Sequence, residues 1–396
     1  MADPQPRKAG AYLEDRWFYA KDKTKKKPGH GIGQRWRVHA VDADGERSSE
    51  SFDRKVDAEA HRDDVKAKLL RGSFVSKSAG QITVAEVFEQ YLSHQKKGGT
   101  KDRRVSAWNT WVSPKWGRRV IREVLRSDVR AWIVEMSDAG AKPPTIESAM
   151  EVLRGILEVA VEDKRLAENV ARGHKLPART EPPKCFLSHQ QVWTVADGID
   201  VRYRTLSLFL SYTGLRFGEA AALTVQDIDF LRKQVYVRQQ VSETTEGLNW
   251  TPTKGKQRRR VPIPNFLMEP LSVQCKGKKR ADYLFTAPEG GVLRLNTWRD
   301  RTWNPLIDKL MGVDEEGTPH TDFPDATPHD MRHTAASLAV QAGANVKALQ
   351  IMLGHKSATL TLDTYAELFP EDLEQVAAKL DTAVTDFATA RDQAEA

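Results

Sequence analysis

The residues of this chain best suited to chemistry are Arg216 with Glu219 three positions on, the string His329-Asp-Met-Arg332-His333, His355 after Gly354, and Tyr365 ten residues later. Cutting a phosphodiester without a metal requires a nucleophile that can hold the phosphate covalently. It also requires fixed positive charge and hydrogen-bond donors around the pentacoordinate transition state. Tyr365 supplies the first and the Arg/His group the second. A carboxylate at Glu219 can hold the Arg216 fork in one orientation while its open edge faces a phosphate, although the pair taken alone also reads as an ordinary surface ion pair. His329 and His333 are four apart, the spacing of two zinc ligands on one helix face. The residue between them in the ligand motif is Asp330 rather than glutamate, and no third ligand is evident, so no metal is expected.

These side chains need elements to place them. Leu206, Phe209 and Leu210 line one face of a helix over 205–213, with Gly214 as its C-cap and Arg216 opening the next helix. Pro328 favours His329 at a helix start, with Arg332 one turn further on the same face and His333 packing inward to make a structural hydrogen bond. A helix over 345–353 stops at Gly354 and leaves His355 just past its C-terminus. Val235–Val241 and 249–263 alternate like strands, which places Lys254, Lys256, Arg258 and Arg259 at the tip of a hairpin able to enter a nucleic-acid groove. A lysine there with a lowered pKa can deliver a proton to a departing oxygen; a solvated basic turn is the plainer reading, and local chemistry does not separate Lys254 from Lys256.

Upstream, Lys25, Lys26 and Lys27 precede a strand that begins near Arg35 and Arg37. A second strand runs over 47–52 and a helix over 57–70, giving a small basic sheet-plus-helix module. Thr83 and Glu86 form a capping box that opens a helical region. Its later helices run from an N-cap at Ser127 and from Pro144, and Trp108, Trp111 and Trp116 read as core rather than as base-stacking rings. Residues 171–185 have the composition of a basic, proline-containing linker able to lie along a phosphate backbone. After residue 370 a single apolar stripe, including Leu380, Val384 and Phe387, marks an otherwise acidic helix that must cover its stripe against its own domain or a neighbouring copy.

The formal charge is +7 over 396 residues, with a basic body and an acidic end, the footprint of a polyanion partner. Cys185 and Cys275 are far apart and form no disulfide framework, which fits a reducing compartment. The N-terminus has no apolar leader and no run is long enough to span a bilayer, so a soluble intracellular protein is expected.

Taken in order, Arg216, Lys254, His329, Arg332, Gly354–His355 and Tyr365 resemble the signature of the tyrosine recombinases, the integrases of temperate phages and related mobile elements. The interval from His355 to Tyr365 is one residue longer than in many members. The resemblance implies a multidomain, mainly α chain with small β-sheets. An arm-site DNA-binding module would occupy 1–72, a helical core-site DNA-binding domain 80–172, a linker 173–184, a mixed α/β catalytic domain 185–370 and an acidic tail 371–396. It implies strand cleavage through a 3′-phosphotyrosine. In that scheme Arg216 and Arg332 sit on the nonbridging oxygens and His355 donates to the phosphorane, while His329 exchanges a proton with the tyrosine and Lys254 is the general acid. Glu219 and His333 are supporting residues, and Lys25, Lys26, Lys27, Arg35, Arg37, Lys256, Arg258 and Arg259 contact DNA. The implied partners are double-stranded DNA at core and arm sites, three further copies in a synaptic tetramer, an excisionase and a host DNA-bending protein, in the nucleoid of a bacterial cytoplasm and without a cofactor.

Overall fold

The structure is a computed structural model and describes residues 9–41, 47–71, 74–75, 80–95, 98–179, 183–252, 258–314, 318–368 and 373–395. The chain forms two compact units, Met1–Glu181 and Pro182–Ala396. It is mainly helical with small antiparallel sheets.

Unit 1 opens with a three-stranded sheet of β1 (Gly10–Asp15), β2 (Trp36–Val41) and β3 (Arg47–Phe52), in that spatial order. Helix α1 (Lys55–Leu70) covers it, and Val65 packs with Ala11 and Ala40. Strand β1 is absent from the sequence-based reading; its Tyr12-Leu-Glu-Asp stretch lacks a clean alternation, and the long return to β2 hides the pairing.

Five helices follow, α2 (Val84–Ser93), α3 (Gly99–Ala107), α4 (Ser113–Trp116), α5 (Arg126–Asp138) and α6 (Pro143–Glu162), with a π turn over Trp108–Val112 joining α3 to α4. The capping box is formed: the Thr83 hydroxyl accepts from the Glu86 N–H, and the Glu86 carboxylate accepts from the Thr83 N–H. Helix α5 starts one residue before Ser127, so Ser127 lies in its first turn and does not cap it. Helix α6 is the centre of this bundle, with Ile146, Leu153, Ile156 and Leu157 fully buried. Trp108 stacks on Phe88 with ring centroids 4.0 Å apart, and Trp116 meets Trp132 edge-on at 5.6 Å, so both rings are core. Trp111 packs half-buried against the same cluster.

Unit 2 runs α7 (His189–Gly198), α8 (Val201–Thr213), α9 (Phe217–Ala221), β4 (Ile228–Asp229), β5 (Gln234–Val237), β6 (Gln239–Thr244), β7 (Gly247–Pro252) and β8 (Arg259–Pro262). It continues with α10 (Met268–Cys275), α11 (Leu295–Trp298), α12 (Asn304–Met311), α13 (Asp330–Gln341), α14 (Val346–Leu353), α15 (Ala358–Tyr365) and α16 (Leu373–Glu395). Helix α8 packs against α7 and α13, and its Leu206, Phe209 and Leu210 are buried as their spacing requires.

The strand register corrects one expectation. β6 and β7 form a hairpin that turns at Thr245–Glu246, and β8 pairs with β5. Pro252 lies opposite Gln239 and Arg259 opposite Val237. The hairpin tip is therefore Thr245–Glu246, and Arg259, expected at the tip, lies in β8. Among the described residues no helix is long and apolar enough to cross a membrane.

Candidate active site

Helix α8 ends on Gly214 in the left-handed conformation (φ 65°), where a side chain would be strained, and the chain turns directly into α9. Arg216 is the N-cap of α9 and Glu219 its third residue. The Glu219 carboxylate accepts the Arg216 backbone N–H at 3.0 Å and its Nη1 at 3.2 Å. It also accepts both terminal nitrogens of Arg259, at 3.0 and 2.7 Å. Burial alone would push this carboxyl up, but the Arg259 fork, with Arg216 behind it, holds it below the usual carboxylate range.

Arg259 is the second correction. It is buried, and its Nε donates to the Met352 carbonyl at 3.0 Å, so it braces the site from within and does not face a groove. The reason is the period of two along β8. Arg259 and Val261 point to the core, Arg260 and Pro262 point out, and Arg260 lies over the Tyr236 ring. Arg258 is exposed. Lys254 and Lys256 lie outside the described residues.

Arg332 projects from the first turn of α13 and is 3 % exposed. Its Nη1 donates to the Gly214 carbonyl and its Nη2 to the Leu353 carbonyl, each at 2.6 Å, so one guanidinium ties the α8–α9 turn to the end of α14. Burial, and then the Arg216 charge, bring its pKa down to about 9, which still leaves it a cation at neutral pH. Gly354 (φ 66°) ends α14, and a Cβ there would sit 3.0 Å from the Arg259 guanidinium, so the glycine serves both the turn and the close approach.

His355 follows. Its Nδ1 is 3.0 Å from the Thr361 hydroxyl, and its ring lies parallel to that of Tyr365 with centroids 6.2 Å apart. Burial, then Arg332, Arg216 and Arg259, push it down to about 4, so it is neutral at pH 7. In the tautomer in which the Thr361 hydroxyl donates to Nδ1, the proton sits on Nε2, which is then a hydrogen-bond donor.

Tyr365 ends α15 and is 1 % exposed. Burial pushes its phenol up, and Arg332 and Arg216 oppose this without reversing it. The ring that meets its hydroxyl is His333, at 3.0 Å from Nδ1. The sequence places proton exchange with the tyrosine on His329, but His329 is the helix N-cap, exposed, and stacks edge-on against His333 at 5.0 Å. One further turn along α13 is needed to reach α15, and that turn carries His333. Burial and then His329 push His333 down to about 4. Among the described residues no three His, Cys, Asp or Glu come together as a cation site.

Of the six residues in the sequence signature, the structure gathers Arg216, Arg332, His355 and Tyr365 around one point, with His329 at its rim. Arg259 and His333 complete the cluster. From sequence, Arg259 is a DNA contact and His333 a supporting residue with a structural hydrogen bond; the register of β8 against β5 turns the first into the core, and the bond of the second is to the Tyr365 hydroxyl.

In unit 1, Lys27 pairs with Glu14 at 3.1 Å and donates to the Asp15 carbonyl. Arg35 pairs with Asp15 at 2.9 Å and lies over the rings of Phe18 and Trp36. Arg37 donates to the Ser51 hydroxyl at 3.2 Å, Lys25 lies over Tyr19, and Lys26 is exposed. Lys27 and Arg35 therefore help fold the module, and their charges are largely met within it.

Comparison with known proteins agrees with this geometry. Residues 187–372 match the phage integrase family. The integrase of Mycobacterium phage D29 is 27 % identical over 334 residues, covering 81 % of this chain and 86 % of that protein. The transposase from transposon Tn916 of Enterococcus faecalis is 28 % identical over 271 residues, covering 64 % of this chain and 65 % of that protein. In fold, the chain is similar to the Tn1549 transposon integrase in complex with a circular intermediate DNA, with a TM-score of 0.63 and 24 % identity over 76 % of this chain and 99 % of that one. It is also similar to a lambda integrase tetramer bound to a Holliday junction, with a TM-score of 0.54 and 15 % identity over 81 % of this chain and 94 % of that one. Family match, relatives, fold and the ordered Arg, His, Arg, His and Tyr cluster agree: residues 187–372 are a phage integrase family domain, and the chain that carries it is a tyrosine site-specific recombinase.

Proposed function

We propose that this enzyme cuts and rejoins DNA through a 3′-phosphotyrosine at Tyr365, integrating and excising a phage or other mobile element between attachment sites. The observation that carries this reading is the placement of a phenol beside two arginines and a neutral, donor-capable histidine. Arg216 and Arg332 meet the two nonbridging oxygens, and Nε2 of His355 donates to the phosphorane as charge develops. Glu219 and Arg259 hold Arg216 in place and do not touch substrate. Lys254 protonates the leaving 5′-oxygen.

The phenol is held above its ordinary pKa and the His333 imidazole near about 4, so a preformed phenolate is strongly disfavoured in the DNA-free chain. Proton departure accompanies P–O bond formation. His333 orients the hydroxyl, and His329, next to it and open to solvent, continues the path outward. The bond energy stays in the phosphotyrosine, which the free 5′-hydroxyl of the partner strand attacks in the reverse sense, so neither nucleotide nor metal is consumed.

Residues 1–72 serve as the arm-site module, 80–172 as the core-site domain, 173–184 as a linker along the phosphate backbone and 185–370 as the catalytic domain. Double-stranded DNA is the substrate, and four copies join two duplexes, assisted by an excisionase and a host DNA-bending protein. The stripe on α16 stays uncovered in the single chain, with Leu380, Val384 and Phe387 at 62, 66 and 66 % exposure, which suits docking on the next copy. The receiving surface is the apolar groove of about 880 Å³ lined by Pro262, Leu338, Ala339, Ile351 and Met352.

A nicked duplex that loses its 5′-fragment after cleavage tests the reading. The wild-type enzyme is expected to accumulate covalent adduct while Tyr365→Phe binds the duplex and forms none. Adduct with the Phe variant would exclude Tyr365 as the nucleophile.

A further inference from the structure

The first residues of unit 2 cross the nucleophile's helix. The Lys184 ammonium donates to the carbonyl of Thr364, the residue before Tyr365, at 2.6 Å. Two residues on, the Phe186 ring stands edge-on to His333 at 6.3 Å and packs against the small cluster that contains Tyr365, Leu349 and Leu353. The Leu187 N–H donates to the buried Thr334 hydroxyl at 3.0 Å, anchoring the segment to α13. Residues 184–187 thus form a strap. Its downstream end is fixed in the core, and its upstream end is the chain that arrives from unit 1.

We propose that Lys184 is a positioning residue for the nucleophile, tethering the Thr364–Tyr365 main chain to the inter-unit linker and restraining Tyr365 in its closed place against His333. The proposal rests on Tyr365 being the nucleophile. The physical basis is direct. Tyr365 is 1 % exposed, so a phosphate can reach its hydroxyl only if the end of α15 shifts. Among the described contacts of that end, the Thr364 carbonyl lies past the helix hydrogen-bonding pattern, where the last carbonyls lack intrahelical donors. A lysine ammonium satisfies it with a charge-assisted hydrogen bond. The helix terminus favours that cation.

Lys184→Met keeps the aliphatic stem and removes the donor. At saturating nicked duplex, single-turnover adduct formation is expected to rise about five- to tenfold, the effect of losing one solvent-accessible charge-assisted hydrogen bond, with DNA affinity within about twofold of wild type. Lys184→Arg, which can still donate, is expected to restore the wild-type rate. A second readout needs no DNA: nitration of Tyr365 by tetranitromethane, followed by peptide mass spectrometry, is expected to be faster in Lys184→Met than in wild type. Unchanged nitration, or a cleavage rate equal to or below wild type, would overturn the proposal. If Tyr365→Phe still forms adduct, the fault lies with the nucleophile assignment, and nitration still decides the tether.

Discussion

Replacing Glu219 by Gln tests whether the buried carboxylate organises the site. Glu219 is fully buried and takes four hydrogen bonds, two from Arg259 and two from Arg216. An amide in the same place has one acceptor oxygen and turns its NH₂ toward a guanidinium, so donor faces donor and the buried Arg259 charge has no counter-ion. Breaking a buried ion pair in this way costs about 3–5 kcal/mol. For a unit of this size that lowers the melting temperature by roughly 6–20 °C. Cleavage should fall about 10²-fold, because Arg216 loses the group that fixes its fork. Adding Arg259→Met removes the stranded cation, and the double variant should recover about 2 kcal/mol relative to Glu219→Gln, the coupling expected of contacting residues in one network. Thermal unfolding by circular dichroism and single-turnover cleavage measure the two effects. A Glu219→Gln protein that melts within about 1 °C of wild type, or a double variant no more stable than Glu219→Gln, would refute the reasoning. Arg259→Met alone also separates the buried brace from a DNA contact: as a brace it lowers stability, whereas as a groove contact it would lower only DNA affinity and its salt dependence.

Three further outcomes follow from the same geometry. His333 and His355 are held near about 4, below the ordinary value near ~6.5 of the unfolded chain, so the unfolded state binds protons first as pH falls. Their neutral pairing therefore contributes stability that is fully present above about pH 6.5 and is lost progressively toward about pH 4, and a urea midpoint that does not fall over that window would contradict the burial of both rings. Lys254→Ala is expected to slow cleavage by about 10²-fold and to recover when the leaving 5′-oxygen is replaced by sulfur, which needs no proton; rescue seen with Lys256→Ala instead would move the general acid two residues along. Deleting residues 371–396 is expected to leave binding to a single core site intact while weakening the joining of two duplexes, and normal synapsis by the truncated chain in a gel-shift assay would exclude docking of α16.

Much of the site was legible because its key residues sit at helix boundaries, where sequence signals are local. Gly214 and Gly354 mark their helix ends by the one conformation they favour, Asn345 caps α14, and Pro328 puts His329 at the start of α13. Arg216, Arg332, His355 and Tyr365 inherit their places from those boundaries. What could not be read depended on pairings across the chain. Arg258, Arg259 and Arg260 are identical as letters, and only the register of β8 against β5 turns the middle one into the core. The choice between His329 and His333 depends on where α15 crosses α13, a distance in space of 32 residues in sequence. The strap at Lys184 joins residues 180 apart and has no local signal at all. In unit 1, the long return from β1 to β2 conceals a strand whose pairing is regular once it is seen.

The most direct test of the central claim is to trap the enzyme on a nicked duplex, digest the adduct with protease and sequence the DNA-linked peptide by mass spectrometry. The expected peptide carries a 3′-phosphonucleotide on Tyr365 and on no other side chain. A link at any other residue, or cleavage that leaves no protein attached to the 3′ end, would contradict a mechanism in which this phenol takes the phosphorus.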